Sequence, residues 1–443
     1  MGLAAVVPPP APDRSAQLRR AVIASVIGST IEWYDFFLYG VAAALVFPKV
    51  FFPTVDPFVS TLTAFSTYFV GFAARPLGAA IFGHFGDRIG RKATLVTTLL
   101  LMGLSTVAIG LLPGYATLGI WAGVILVVLR TLQGIGVGGE WGGAVLVTME
   151  WGSSSGKRGL LTSGPQFGVA LGLVLANGAV AMMNNLAGPG FLEWGWRLPF
   201  LASVALIGAG LWIRLGLEET PVFAQLKASD KLEKTPVKEV LRLHWREVLL
   251  TALARTGSQG PYYIFTTYVL VYGTEVLKAD RALLLSGVMA ASMMSMVTLP
   301  LWAMLSDKVG RRNMILAGAA AMALWGFAYF TLLDTRLPAV MMVAVMLSLP
   351  IHDMQFGPLS AFIAESFTPR LRYSGASLGY QLSCLTAGGP APLIALYLMH
   401  RTHSSTAIAC YIGVSALITI VAVLLLPDRT HQDCDREYDE VPA

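Results

Sequence analysis

Apolar runs long enough to cross a lipid bilayer recur along this chain, each closed by a charged or Pro/Gly-rich break. A hydrocarbon core of about 30 Å needs roughly 20 helical residues. Twelve stretches reach that length: 20–47, 57–85, 92–112, 118–149, 158–184, 197–217, 247–273, 282–306, 312–333, 338–365, 372–399 and 404–427. Lipid offers the backbone no hydrogen-bond partner, so such runs must satisfy their peptide groups internally, as helices. Composition closes the aqueous alternative. Only 13% of the 443 residues are charged and 55% are hydrophobic, about half the charge of an ordinary soluble domain. The expected class is an all-α, multi-pass membrane protein.

Lys and Arg fix the expected orientation, because they gather in cytoplasmic loops. With both termini cytoplasmic, 21 of the 31 fall on inside segments and 6 on outside segments, leaving Arg75, Arg130, Arg214 and Arg255 within spans. No cleavable leader is expected: residues 1–19 are Pro-rich and then basic, and the apolar run that follows is too long for a leader's core. Cys384, Cys410 and Cys434 have neither disulfide-framework nor metal-ligand spacing. No metal cluster, nucleophile motif or nucleotide loop stands out, which argues against an enzyme, and no nucleic-acid partner is expected.

The longest charged break, 218–246, divides the spans six and six. The expected organisation is a tail (1–19), a six-helix bundle (20–217), a cytoplasmic linker with a short amphipathic helix (218–246), a second bundle (247–427) and a tail (428–443). The halves echo each other. Gly83-His84-Phe85-Gly86-Asp87-Arg88-Ile89-Gly90-Arg91-Lys92 joins the second and third spans, and Ala303-Met304-Leu305-Ser306-Asp307-Lys308-Val309-Gly310-Arg311-Arg312 joins the eighth and ninth. A second echo links 150–158, with Glu150 and Arg158, to 365–372, with Glu365 and Arg372. Duplicated halves are a transporter design, with the substrate site near midplane between them. The two-half pattern supplies no symmetric pore for a channel.

The Gly-x-x-x-Asp-Arg-x-Gly-Arg-Lys loop at 83–92 resembles the signature of the major facilitator superfamily, and Arg130-Thr-Leu-Gln133-Gly134-Ile-Gly136 resembles its fourth-helix motif. More narrowly, Glu32-Trp33-Tyr34-Asp35-Phe36, Gly138-Gly139-Glu140-Trp141 and Arg372-Tyr373-Ser374-Gly375 resemble the metabolite:proton symporter family. The motifs from 129 to 144 and Trp194-Gly195-Trp196-Arg197 look most like its shikimate branch. The resemblance implies twelve helices in two pseudo-symmetric halves of the major facilitator fold. It also implies alternating access in a bacterial inner membrane, a monomer, and uptake of organic acids, proline or betaine with protons. Only 16 residues follow Pro427, whereas the osmoprotectant branch carries a long C-terminal coiled coil.

Ionisable groups at bilayer depth cost about 2.5–3.5 kcal/mol each on insertion scales and face a cavity or a partner. Glu32 and Asp35 share a helical face, being three residues apart. Two neighbouring carboxylates in low dielectric resist double ionisation, so one holds a proton at neutral pH, as a proton carrier must. The resemblance favours Asp35, then Glu32. Arg130 is expected to pair with one of them when it is ionised, coupling proton to substrate; a static brace is the alternative. Glu140 fits proton relay or helix packing equally.

Arg75, and Arg255 with Gln259, Tyr262 and Tyr263 on one stripe, suit a hydroxylated, aromatic, di- or tricarboxylate. Either arginine suits a buried acid as well. His352 with Asp353, and also Arg130, Gln133, Gln166 and Gln381, are further candidates to line the substrate site. The resemblance makes the loops a gate: Asp87, Arg88, Arg91, Lys92, Asp307, Arg311, Arg312, Glu150, Arg158, Glu365 and Arg372 form a latch that breaks as the protein turns inward. No cofactor is expected beyond the proton gradient. The alternative function is the same fold carrying a zwitterion or working as an exporter.

Overall fold

The computed structural model describes residues 14–53, 57–152, 156–229, 235–430 and 432. The ends of both expected tails and the middle of the expected linker lie outside them. Every regular element among the described residues is helical. Twelve helices run along the bundle. In the first half they are α1 (Arg14–Leu45), α2 (Pro57–Arg88), α3 (Arg91–Leu111), α4 (Ile120–Trp151), α5 (Arg158–Thr162 continuing as Gly164–Ala187) and α6 (Arg197–Leu215). In the second they are α7 (Trp245–Ala254 onward), α8 (Arg281–Val309), α9 (Arg311–Asp334), α10 (Pro338–Glu365), α11 (Arg372–Ser383 onward) and α12 (Ser405–Leu425).

Ten of these are long and apolar enough to span a membrane by length and composition alone. The exceptions are α2 and α7. The first carries Arg75, His84, Asp87 and Arg88. The second is broken: Trp245–Ala254 stops at Arg255, Thr256–Tyr263 contains Pro261, and two wider π-turns follow at Ile264–Tyr268 and Tyr272–Val276. Proline removes a backbone donor and crowds the preceding turn, which weakens the ladder between these breaks. Between α6 and α7 run two short helices, Pro221–Ala228 and Pro236–Leu243.

Packing repeats from half to half. Within the first half α1 lies on α5, α2 on α4, and α3 on α4 and α6; within the second α7 lies on α11, α8 on α10, and α9 on α10 and α12. Across the halves α2 meets α11 and α5 meets α8. Glu32, Asp35, Arg130, Arg255, His352 and Asp353 are buried on α1, α4, α7 and α10, and Arg75 on the seam helix α2.

Candidate functional site

Three arginines occupy the centre, each almost wholly buried: Arg75 at 2%, Arg130 at 3% and Arg255 at 1% exposure. None has a carboxylate within ion-pair distance among the described residues. Aromatic faces and neutral dipoles hold them instead. The Arg75 guanidinium lies 4.9 Å from the ring centres of both Phe36 and Phe72. That of Arg130 sits 4.1 Å over Tyr39, and that of Arg255 lies 3.3 Å over Tyr380. A ring quadrupole attracts a cation without neutralising it. Each charge therefore remains available to an anion.

The acids of α1 are placed differently from each other. Asp35 accepts hydrogen bonds from Thr106 at 2.7 Å and Ser203 at 2.9 Å, tying α1 to α3 and α6. Thr106 accepts in turn from the Gln133 amide at 2.7 Å, and the Gln133 carbonyl accepts from Arg130. The expected direct pair between Arg130 and Asp35 or Glu32 is thus absent: an amide and a hydroxyl stand between cation and acid, and every donor in the series points toward Asp35. Glu32 faces a narrow pocket lined also by Arg75, Arg130 and Gln133. Its Oε2 has no hydrogen-bond partner among the described residues.

A second narrow pocket brings Trp33 of α1 and Val169 of α5 against Arg255, Gln259, Tyr262 and His352 of the other half. His352 Nδ1 lies 3.2 Å from Asp353, whose other oxygen accepts from Thr298 at 2.6 Å. Tyr263 packs against Phe36 and Phe72 across the midline, at ring distances of 6.5 and 5.9 Å. Its hydroxyl and both amide atoms of Gln166 are buried without a partner among the described residues. Gln381 reaches the Gly138 carbonyl at 3.4 Å and accepts from the Cys384 thiol at 3.3 Å.

Glu140 is engaged elsewhere. It forms an ion pair with Arg214 of α6 and accepts from Thr98 at 2.9 Å. The arginine reaches it beside α1 only because residue 28 is glycine: a Cβ there would overlap both the guanidinium and the carboxylate. Sequence reasoning placed Arg214 in a span and gave it no partner.

The loops that echo in the sequence form one geometry twice. Asp87 accepts the backbone N–H groups of Tyr373 and Ser374 at 3.3 and 3.0 Å, capping α11 from the opposite half. Asp307 accepts those of Gly159 and Leu160 at 2.8 and 3.1 Å, capping α5. Helix N-termini present unpaired N–H groups and a positive dipole end, so a carboxylate there is stabilising. Arg91 bridges Asp87 at 3.0 Å and Glu150 at 3.4 Å; Arg311 bridges Asp307 at 3.0 Å and Glu365 at 3.2 Å, and Arg158 joins Glu365 at 3.2 Å. Gly90 and Gly310 turn the chain between these groups with φ of 124° and 97°, a region that favours glycine.

Not every expected latch residue binds an acid. Lys92 donates to the Leu215 carbonyl at 2.8 Å and Arg312 to that of Leu424, each at the C-terminal end of a neighbouring helix. Cations suit that end of the dipole. Arg88 contacts His84 at 3.1 Å on the exposed surface, and the Arg372 side chain bonds the Phe367 carbonyl at 3.1 Å. The segments after α6 and α12 also belong to the seam. Glu219 accepts the Arg91 N–H at 3.0 Å, and Thr430 accepts the Arg311 N–H at 3.1 Å. Arg158 donates to the Thr430 carbonyl at 2.7 Å, so the tail touches both halves. On the face of these caps, the halves are bonded shut.

Comparison with known proteins supplies the family. Residues 26–392 match the model of the Major Facilitator Superfamily. The chain is 38% identical to the inner membrane metabolite transport protein YhjE of Escherichia coli (strain K12), over 93% of this chain and 95% of that one. It is 39% identical to the shikimate transporter of the same organism, again over 93% and 95%. Among solved structures, the proton:xylose symporter XylE bound to 6-bromo-6-deoxy-D-glucose superposes with a TM-score of 0.73 at 16% identity, covering 95% of this chain and 98% of that one.

Proposed function

The chain belongs to the major facilitator superfamily, and from that premise we propose that this transporter imports a small organic acid together with protons. One observation carries the reading. Arg75, Arg130 and Arg255 are buried together at the centre, and no carboxylate lies within ion-pair distance of any of them among the described residues. A buried charge without a partner is costly, and an anionic cargo supplies that partner. A lipophilic cation would be repelled, and a zwitterion would bring an unwanted positive group beside three guanidiniums.

The sequence of events follows from the geometry. Cargo and proton enter while the seams α2–α11 and α5–α8 hold the opposite face shut. The cargo's carboxylate takes charge-assisted hydrogen bonds from the guanidiniums, which bind it bidentately. The polar atoms left without partners at Tyr263, Gln166 and Glu32 receive its hydroxyl or carbonyl groups. Asp35, at the end of the Arg130–Gln133–Thr106 series, carries the proton. A neutral Asp35 accepts more weakly, so the series slackens, Arg130 is freed for the anion, and cargo binding becomes tied to protonation. Release on the other side requires the caps at Asp87 and Asp307 to break.

The face carrying the Asp87 and Asp307 caps is then cytoplasmic, in keeping with its Lys and Arg content, and the membrane is the bacterial inner membrane, where YhjE resides by name. The protein works as a monomer on the proton gradient. Shikimate-like hydroxy acids lead the candidates, given the 39% identity to a shikimate transporter. A thermal-shift panel of hydroxylated, aromatic, di- and tricarboxylates, amino acids and betaines tests the class. Stabilisation by carboxylates alone is expected; stabilisation by betaine or proline alone contradicts the reading.

A further inference from the structure

We propose that Cys384 marks the seat of the cargo's carboxylate, a clamp to which Arg75 contributes from one half and Arg255 from the other. The proposal rests on the organic-acid reading above and deepens it to an address. The Cys384 sulfur lies 3.1 Å from Arg255 Nη1, 3.6 Å from Gln259 Nε2 and 3.9 Å from Arg75 Nη1. Donors on α2 and α7 thus converge on one atom of α11. A thiol is a weak acceptor; Arg255 Nη1 bonds besides to the Ser383 hydroxyl at 2.8 Å and the Tyr380 carbonyl at 3.1 Å, while Arg75 has the thiol as its hydrogen-bond acceptor among the described residues.

A second observation points to a ligand at the same place. Arg255 Nε and the Tyr263 hydroxyl are buried there without partners among the described residues, and Tyr263 is only 4% exposed. Both belong to α7 beside the π-turn Cys384–Gly388: a Cβ on Gly388 would lie 2.7 Å from the Gln259 amide and 3.0 Å from the Tyr263 ring. Such widened turns recur at functional sites because they displace the backbone and re-aim side chains. With the clamp divided between the halves, both arginines reach one anion only when the halves close on it.

The thiol makes the clamp measurable. Iodoacetate carries a carboxylate for the arginines and an electrophilic carbon one bond away. As the S–C bond forms, the C–I bond breaks, iodide leaves with the electron pair, and the thiol proton passes to water. Iodoacetamide is its neutral counterpart, and free cysteine in the same buffer is the reference.

The full chain in proteoliposomes is treated with each reagent, and Cys384 and the free cysteine are followed by mass spectrometry. The iodoacetate-to-iodoacetamide rate ratio is expected to be about tenfold higher at Cys384 than at free cysteine, the scale on which a charged cleft concentrates a counter-ion. Arg75→Gln and Arg255→Gln should each bring the two ratios together. Sodium acetate should protect Cys384 in the unaltered protein where sodium chloride does not, a readout free of any folding defect in the variants. Equal ratios at Cys384 and at free cysteine, no protection by acetate, or no modification of Cys384 by either reagent overturns the proposal. This labelling needs no transported cargo and no gradient. Failed uptake with the ratio intact therefore removes only the importer reading, and organic-acid uptake with the ratio lost removes only the clamp.

Discussion

Asp87 on α2 receives both the backbone N–H of Ser374, at 3.0 Å, and its hydroxyl, at 2.8 Å, although the serine opens α11 in the other half of the molecule. The helix end that Asp87 satisfies is thus not its own. Opening this face must strip α11 of its cap and leave Asp87 with Arg91 alone. The two halves repeat the device, since Asp307 serves α5 in the same manner.

Asp87→Asn keeps one acceptor and loses the charge that strengthens these bonds. Charge-assisted bonds contribute about 1.5–3 kcal/mol each, so the closed seam weakens and the cycle loses one of its end states. Turnover should fall about tenfold, while half-saturation for cargo stays within about twofold. Initial uptake rates across a concentration series measure both. An unchanged maximal rate would remove the seam from the transport cycle.

The Glu140–Arg214 pair predicts a stability effect of a different kind. Glu140→Gln leaves Arg214 buried with no carboxylate and should cost about 3–5 kcal/mol, read as a lowered melting temperature in detergent. Glu140→Gln combined with Arg214→Met removes both charges and should recover most of the loss. A double variant as unstable as the single one contradicts the pair.

Gly28→Ala tests the same contact by shape alone, because a methyl group at that position meets both ionic groups. Overpacking typically costs about 1–3 kcal/mol. Its melting temperature should fall in the unaltered background and much less in the charge-free double variant. Equal losses in the two backgrounds would place the clash elsewhere.

Asp35→Asn removes the titrating end of the series that begins at Arg130. Uphill accumulation should be abolished, while exchange of cargo across equal pH on both sides continues. Accumulation against a gradient at the normal level would take Asp35 out of the proton path.

Much of this architecture is written in the sequence in short-range terms. Length and apolar runs define the spans, and the loops around Asp87 and Asp307 announce their own repetition. What stays hidden is tertiary pairing between distant turns. Glu140 and Arg214 are 74 positions apart, and neither shows its partner; the clue available was glycine at residue 28, a missing side chain on an otherwise crowded helix. Asp35 finds Thr106 and Ser203, ordinary residues of two other helices, so its separation from Arg130 leaves no mark in any motif. Cys384 has no paired cysteine to draw notice, because its interest comes from arginines 309 and 129 residues away. Glu219 and Thr430 repeat each other across the halves too, in segments whose sequences differ too much to be matched by eye.

The most direct test of the account is uptake by proteoliposomes holding the purified chain under an imposed pH gradient, acidic outside, with radiolabelled shikimate and betaine offered in parallel. The carboxylate should accumulate above its external concentration, an uncoupler should collapse this accumulation, and Arg255→Gln should weaken carboxylate half-saturation by at least about tenfold. Accumulation of betaine in its place, or carboxylate uptake indifferent to both the gradient and Arg255, would contradict it.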